Sequence, residues 1–149
     1  MLKAIHPIAG VIAFLTILTF WTSTVYSEVF GAPETIVAVK SMVLRGLIVL
    51  IPAMVVVGVS GMAMGRRRKD APALAKKRRM PIIAANGLLV LVPAAVYLSN
   101  KASAGAFDTG FYTVQIIELI AGATNLLLMG LSIRDGRSMT ARKLLMAKS

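Results

Sequence analysis

The chain has 149 residues, 57% of them hydrophobic and only 15% charged, with 17 Lys+Arg against 6 Asp+Glu for a formal net charge of +11. Soluble domains carry about 25% charged residues, and a mean hydropathy of +0.78 with apolar runs near 20 residues marks an integral membrane protein instead. The absence of cysteine excludes disulfide scaffolds, thiolate metal sites, iron–sulfur clusters and thiol catalysis.

Four spans follow in chain order, and together they predict an all-α, integral membrane four-helix bundle forming a single domain over 1–149. The first runs over 5–24, with Lys3 ahead of it and Pro7 where a first helical turn tolerates proline. Its charged start and apolar core also resemble a signal peptide, but no Ala-x-Ala-like cleavage site follows, so it reads as a retained helix. The second span covers 35–64 and contains Lys40, Arg45 and Pro52. A basic loop, 65–79, follows with eight basic residues from Arg66 to Arg79. The third span, 80–98, contains Asn86 and Pro93. The fourth, 107–133, contains Gln115, Glu118 and Asn125, and a basic tail occupies 134–149.

Trp21, Tyr26, Phe30, Tyr97, Phe107, Phe111 and Tyr112 form an aromatic belt at one predicted face. The basic residues gather at the other. By the positive-inside rule both termini, the loop and the tail are cytoplasmic, in what composition suggests is a bacterial inner membrane. Anionic headgroups are then the nearest partner for the positive charge, and no nucleic-acid partner is expected.

Small residues recur where helices need close approach, including Gly58, Gly61 and Gly65 on the second span. Packing within the subunit explains them more simply than a homodimer seam. Residues 45–53 and 86–94 share a Gly-Leu-(Ile/Leu)-Val-Leu-(Ile/Val)-Pro-Ala core in opposite membrane directions. An inverted repeat would instead relate span one to three and span two to four, so the echo reads as coincidence. Pro52 and Pro93 each free a carbonyl one turn back, and a kinked pair can open a cavity.

Ionisable groups within spans cost about 2.5–3.5 kcal/mol each to insert and are functional candidates by default. Arg45 and Glu118 both lie about 15 Å below the aromatic face at 1.5 Å per residue, which predicts a buried Arg45–Glu118 ion pair. Lys40 and Gln115 extend that polar strip outward. Two cations against one carboxylate favour an acidic visitor. Asn86, Asn125 and His6 form a second polar set toward the cytoplasm.

The sole histidine, His6, is the one imidazole able to act as a metal ligand. These features lead to an expectation of haem b, with His6 as an axial ligand and Lys40 and Arg45 against the propionates. The chain would then be an electron-transfer protein or redox subunit, with quinone as a partner, working in a homodimer or larger membrane complex. Two other classes compete: an accessory or assembly subunit without its own chemistry, and a small proton-coupled transporter.

In span count and size the chain resembles the small multidrug-resistance exporters, which place their acidic residue in the first span; here it lies in the fourth. Arg79-Met-Pro-Ile-Ile-Ala-Ala-Asn86 resembles the Arg…Asn pattern of membrane-associated proteins of eicosanoid and glutathione metabolism, also four-helix proteins of about this size. The flanking glutamates of that pattern are absent. Nor does the sequence offer a hydroxyl–imidazole–carboxylate triad or a phosphate loop.

Overall fold

The computed structural model describes residues 2–65 and 71–146. Residues 66–70 of the basic loop and 147–149 of the tail lie outside these. The described residues are helical, with no strand among them, and form α1 (Leu2–Phe30), α2 (Pro33–Gly65), α3 (Ala71–Asn86), α4 (Val92–Ser103) and α5 (Thr109–Met146). A five-residue π-helical turn, Gly87–Leu91, joins α3 to α4 without a break, so the chain folds into four long rods. Each is long and apolar enough to cross a membrane, over Ile5–Phe30, Pro33–Ala63, Arg78–Ser103 and Thr109–Ser138.

Helix-breaking chemistry, and not the end of apolar sequence, sets the end of α1, the end of α4 and the start of α5. α1 continues through Tyr26 to Phe30, and the next chain reversal is Gly31-Ala32-Pro33. α4 closes at Gly105, whose φ of +68° suits a residue without Cβ, while Ala106 N–H donates to Lys101 O at 2.9 Å. α5 begins behind Asp108, whose Oδ1 accepts from Phe111 N–H at 2.9 Å, the N-capping bond that satisfies a donor left open in the first turn. At the other end α3 extends back to Ala71 through the basic segment, and α5 runs on to Met146.

The π-turn has a local cause. Pro93 has no N–H and its ring would clash with the carbonyl one α-turn back, at Leu89. Widening the turn so that Val92 N–H donates to Gly87 O moves that carbonyl out of register. Pro52 is carried inside α2 without a comparable interruption.

Two apolar clusters hold the rods together. One gathers Ala13, Ile17, Val43, Leu47, Leu50, Ala95 and Met129. The other, nearer the short connections at 31–32 and 104–108, gathers Ile36, Leu98, Ala102 and Phe111. Small residues let large ones sit across the helix seams. A Cβ on Gly46 would lie 2.2 Å from Phe20 Cζ, one on Gly61 2.1 Å from Met80 Cε, and one on Gly122 2.9 Å from Trp21 Cδ1. Gly61 therefore packs within the subunit. Ile48, Leu89, Phe30 and Leu127 turn outward and are more than two-thirds exposed, an apolar exterior suited to lipid.

Candidate functional site: a buried charge cluster beside an apolar cavity

The buried stripe of α2 runs Ile36, Lys40, Val43, Leu47, Leu50, spaced three and four residues apart as a single helix face requires. Lys40 therefore occupies a core position between the two apolar clusters, and is 1% exposed. On α5 the corresponding stripe contains Phe111, Gln115, Glu118, Gly122, Asn125 and Met129, which puts Glu118 on the same inward face. The two meet: Lys40 Nζ donates to Glu118 Oε2 at 2.9 Å.

Arg45 does not take part. Five residues beyond Lys40 is about 140° around the helix, so Arg45 leaves the stripe and faces out of the bundle, its Nε donating to Ser41 O at 3.3 Å. The expected Arg45–Glu118 pair is corrected to Lys40–Glu118. Depth alone suggested arginine; helical phase selects lysine.

The cluster has further members. Gln115 Nε2 also donates to Glu118 Oε2, at 3.2 Å, as a residue one turn away on the same face can. Glu28, near the end of α1, interacts electrostatically with both Lys40 and Glu118. Its Oε1 is buried without a hydrogen-bond partner, and so is Oε1 of Gln115. The two cations and one carboxylate expected from sequence are not brought together: Lys40 and Glu118 pair one to one, with Glu28 in electrostatic range of both.

Beside the cluster lies a cavity of about 50 Å³ walled by Ile17, Phe20, Trp21, Leu47, Leu91 and their neighbours, with Glu118 the one ionisable residue among the described lining residues. Trp21 Nε1–H donates to Leu119 O at 3.0 Å, tying α1 to α5 directly beside the carboxylate. Both hydrogen bonds to Glu118 end on Oε2. Among the described residues none reaches Oε1.

Other polar residues fall into separate sites. Asn86 Nδ2 donates to Ala121 O at 2.8 Å and to Asn125 Oδ1 at 2.9 Å, while Asn125 Nδ2 reaches Ile83 O at 3.4 Å. The pair anchors the start of the π-turn to α5. His6 joins a different partner: its Nδ1 lies 2.8 Å from Ser60 Oγ. The Ser60 hydroxyl also donates to Val56 O. Arg79 pairs with Asp135 at 2.7 Å near the ends that bear the termini.

The residues expected to hold haem do not fit one such group. His6 lies level with Ser60, and Ser60 is about 30 Å along α2 from Lys40 at 1.5 Å per residue, while Arg45 points outward. Imidazole and cations cannot serve the same porphyrin from these places. Among the described residues no three His, Cys, Asp or Glu side chains converge.

What the geometry defines is an all-helical bundle of membrane-spanning length with a lysine–carboxylate cluster buried against a small apolar cavity. No protein-family model, curated protein or solved structure matches the chain.

Proposed function

We propose that the protein is an ion-coupled membrane carrier in which Glu118 exchanges a proton in step with a small solute in the adjoining cavity. The observation that carries this reading is the divided environment of Glu118. Oε2 is held by Lys40 and Gln115, whereas Oε1 takes no hydrogen bond among the described residues and the residue lines the cavity.

A carboxylate at this depth is costly unless compensated. Protonating Glu118 removes the charge that Lys40 pairs with, and deprotonating it restores the pair. Loading and unloading that charge changes the electrostatics of α1, α2 and α5 at once, since each contributes a member. Such a site has the means to link ion occupancy to helix packing. The basic residues at the termini and in the 65–79 loop support an orientation with that end cytoplasmic, held against anionic headgroups.

Purified protein reconstituted in liposomes and subjected to a pH gradient tests the reading. With a panel of small organic cations and neutral solutes supplied on the trans side, proton flux above that of empty liposomes is expected for at least one solute, lost in Glu118→Gln and retained in Arg45→Met. Flux equal to that of empty liposomes, or undiminished in Glu118→Gln, overturns it.

A further inference from the structure

Arg45 stands on the exterior of α2, on a face it shares with Met42, Ile48, Val49, Pro52, Val56 and Val59, all exposed and apolar. We infer that this face docks a transmembrane helix of a different protein, one that carries an aspartate or glutamate to pair with Arg45. Arg45 lies apart from the Lys40–Glu118 pair, so the inference is independent of the carrier reading.

Depth is the first observation. The apolar rod of α2 runs over Pro33–Ala63, and a hydrocarbon layer of about 30 Å centred on it puts Arg45 about 10 Å inside the nearer edge. The side chain leans one turn toward that edge, where its Nε donates to Ser41 O, and this recovers only about 6 Å. The guanidinium therefore ends within hydrocarbon, short of the lipid phosphates. Of its five N–H donors, the four on the terminal nitrogens meet no acceptor among the described residues. Arginines at such depth pair with a carboxylate or a carbonyl inside protein, and a carboxylate accepts the two terminal nitrogens as a bidentate fork.

The chain's own carboxylates cannot supply that partner, and neither can a second copy. Glu118, Asp135 and Asp108 are bound to Lys40, Arg79 and Lys101. Glu28 belongs to the inward cluster. Glu34 lies in the first turn of α2, about 16 Å along the helix from Arg45, and Asp70 lies in the 65–79 loop. Among the described residues, no carboxylate stands on the exterior at the depth of Arg45. A parallel second copy packed on this face sets Arg45 against another Arg45 or against apolar side chains.

The rest of the face suits a helix. From Met42 to Val59 it extends about 25 Å, most of a membrane crossing. Toward the ends that bear the termini it hollows into a shallow groove of about 280 Å³ lined by Ile5, Val55, Val56, Val59 and Ser60, an apolar recess for a partner's side chains. Pro52, two turns from Arg45, has no N–H for the Ile48 carbonyl, which leaves a second polar group for a partner to meet.

The test uses the full-length protein in phosphatidylcholine liposomes at neutral pH, with a synthetic transmembrane peptide as the probe. The peptide is a lysine-flanked Leu/Ala helix of about 20 apolar residues bearing a single Glu, Gln, Lys or Leu at the depth of Arg45. Because the chain has no cysteine, Ser103→Cys, at the exposed end of α4, takes a donor dye for energy transfer to a labelled peptide. The Glu peptide is expected to associate at least about tenfold more tightly than the Gln and Leu peptides. Arg45→Met should erase that preference, and Arg45→Glu should transfer it to the Lys peptide. Trp21 fluorescence checks that both variants keep the fold.

Equal association of the Glu and Leu peptides, or a Glu preference that survives in Arg45→Met, overturns the inference. Two other results also overturn it by naming a different occupant. Arg45-dependent energy transfer between copies of the protein, without a Glu-peptide preference, makes the occupant a second copy. Arg45-dependent enrichment of phosphatidylglycerol around the protein, again without that preference, makes it a lipid phosphate.

Discussion

Removing the charge from Glu118 isolates an ion pair that crosses the bundle core. In Glu118→Gln the Lys40 ammonium, 1% exposed, loses the carboxylate that its Nζ approaches to 2.9 Å. Stripping one partner from a buried pair costs about 3–5 kcal/mol, mostly as the penalty of the charge left behind. Glu28 offers partial compensation, so the lower end, about 3 kcal/mol, is expected. Lys40→Met in the same background removes the orphaned charge, and the double variant should return to within about 1 kcal/mol of the parent. The coupling between the two sites is then about 2 kcal/mol or more, well above the scatter of independent substitutions. Arg45→Met, off the buried stripe, should show no coupling to Glu118→Gln. Reversible unfolding in mixed micelles, followed by Trp21 fluorescence, supplies the free energies. A silent Glu118→Gln, or coupling to Arg45 and not to Lys40, would refute the pairing.

Other consequences are accessible to the same assay. Gly46→Ala places a methyl group 2.2 Å from Phe20 Cζ and should destabilise by about 1–3 kcal/mol, relieved by Phe20→Leu; an equally stable Gly46→Ala would show that the seam is not close-packed. Asn125→Leu removes the bond to Asn86 but leaves Asn86 on Ala121 O, so the loss should be about 0.6–1.7 kcal/mol, and a larger loss would mean that the π-turn depends on the pair. Asp108→Ala removes the cap of α5 and should lower stability at neutral pH. The hydrogen bond from Lys101, and then that from Phe111 N–H, holds the Asp108 carboxyl below the ordinary carboxylate range. Its folded value thus lies below its unfolded one, and the stabilisation is complete above the unfolded value and lost as pH falls through the folded value. Parent and Asp108→Asn should converge in stability in strong acid, and a difference that grows on acidification would contradict the capping role.

Much of the architecture was legible in composition and hydropathy because lipid leaves the backbone few alternatives to helix. Four spans, their order and the placement of Asn86 near Asn125 all follow from apolar runs and residue spacing. The site was only half legible. Matching Arg45 to Glu118 used depth, which distance along a helix supplies directly. Azimuth needs the whole buried stripe. The run Ile36, Lys40, Val43, Leu47, Leu50 was present in the sequence, and its three-four spacing puts Lys40 inside and Arg45 outside.

Glu28 escaped notice for a related reason. Glu28 lies beyond the 5–24 span that hydropathy marks, whereas the helix persists to Phe30 and brings the carboxylate into electrostatic range of Lys40. The cavity was not legible at all. It depends on how Trp21, Leu91 and Gly122 meet across three helices, and no periodicity within one helix encodes that. The π-turn before Pro93 lies between these cases. Proline announces a disturbance there, but a kink and a widened turn are equivalent in sequence and differ only in how neighbouring helices receive them.

The most direct test of the central claim is to watch the Glu118 carboxyl itself. Infrared difference spectra of the protein in lipid, recorded as the pH is stepped downward, should show a protonated-carboxyl band arising in the parent and missing from Glu118→Gln, with Arg45→Met unchanged from the parent. A spectrum in which the same band persists undiminished in Glu118→Gln, or in which no carboxyl within the spans gains a proton, would contradict Glu118 as the proton-exchanging group.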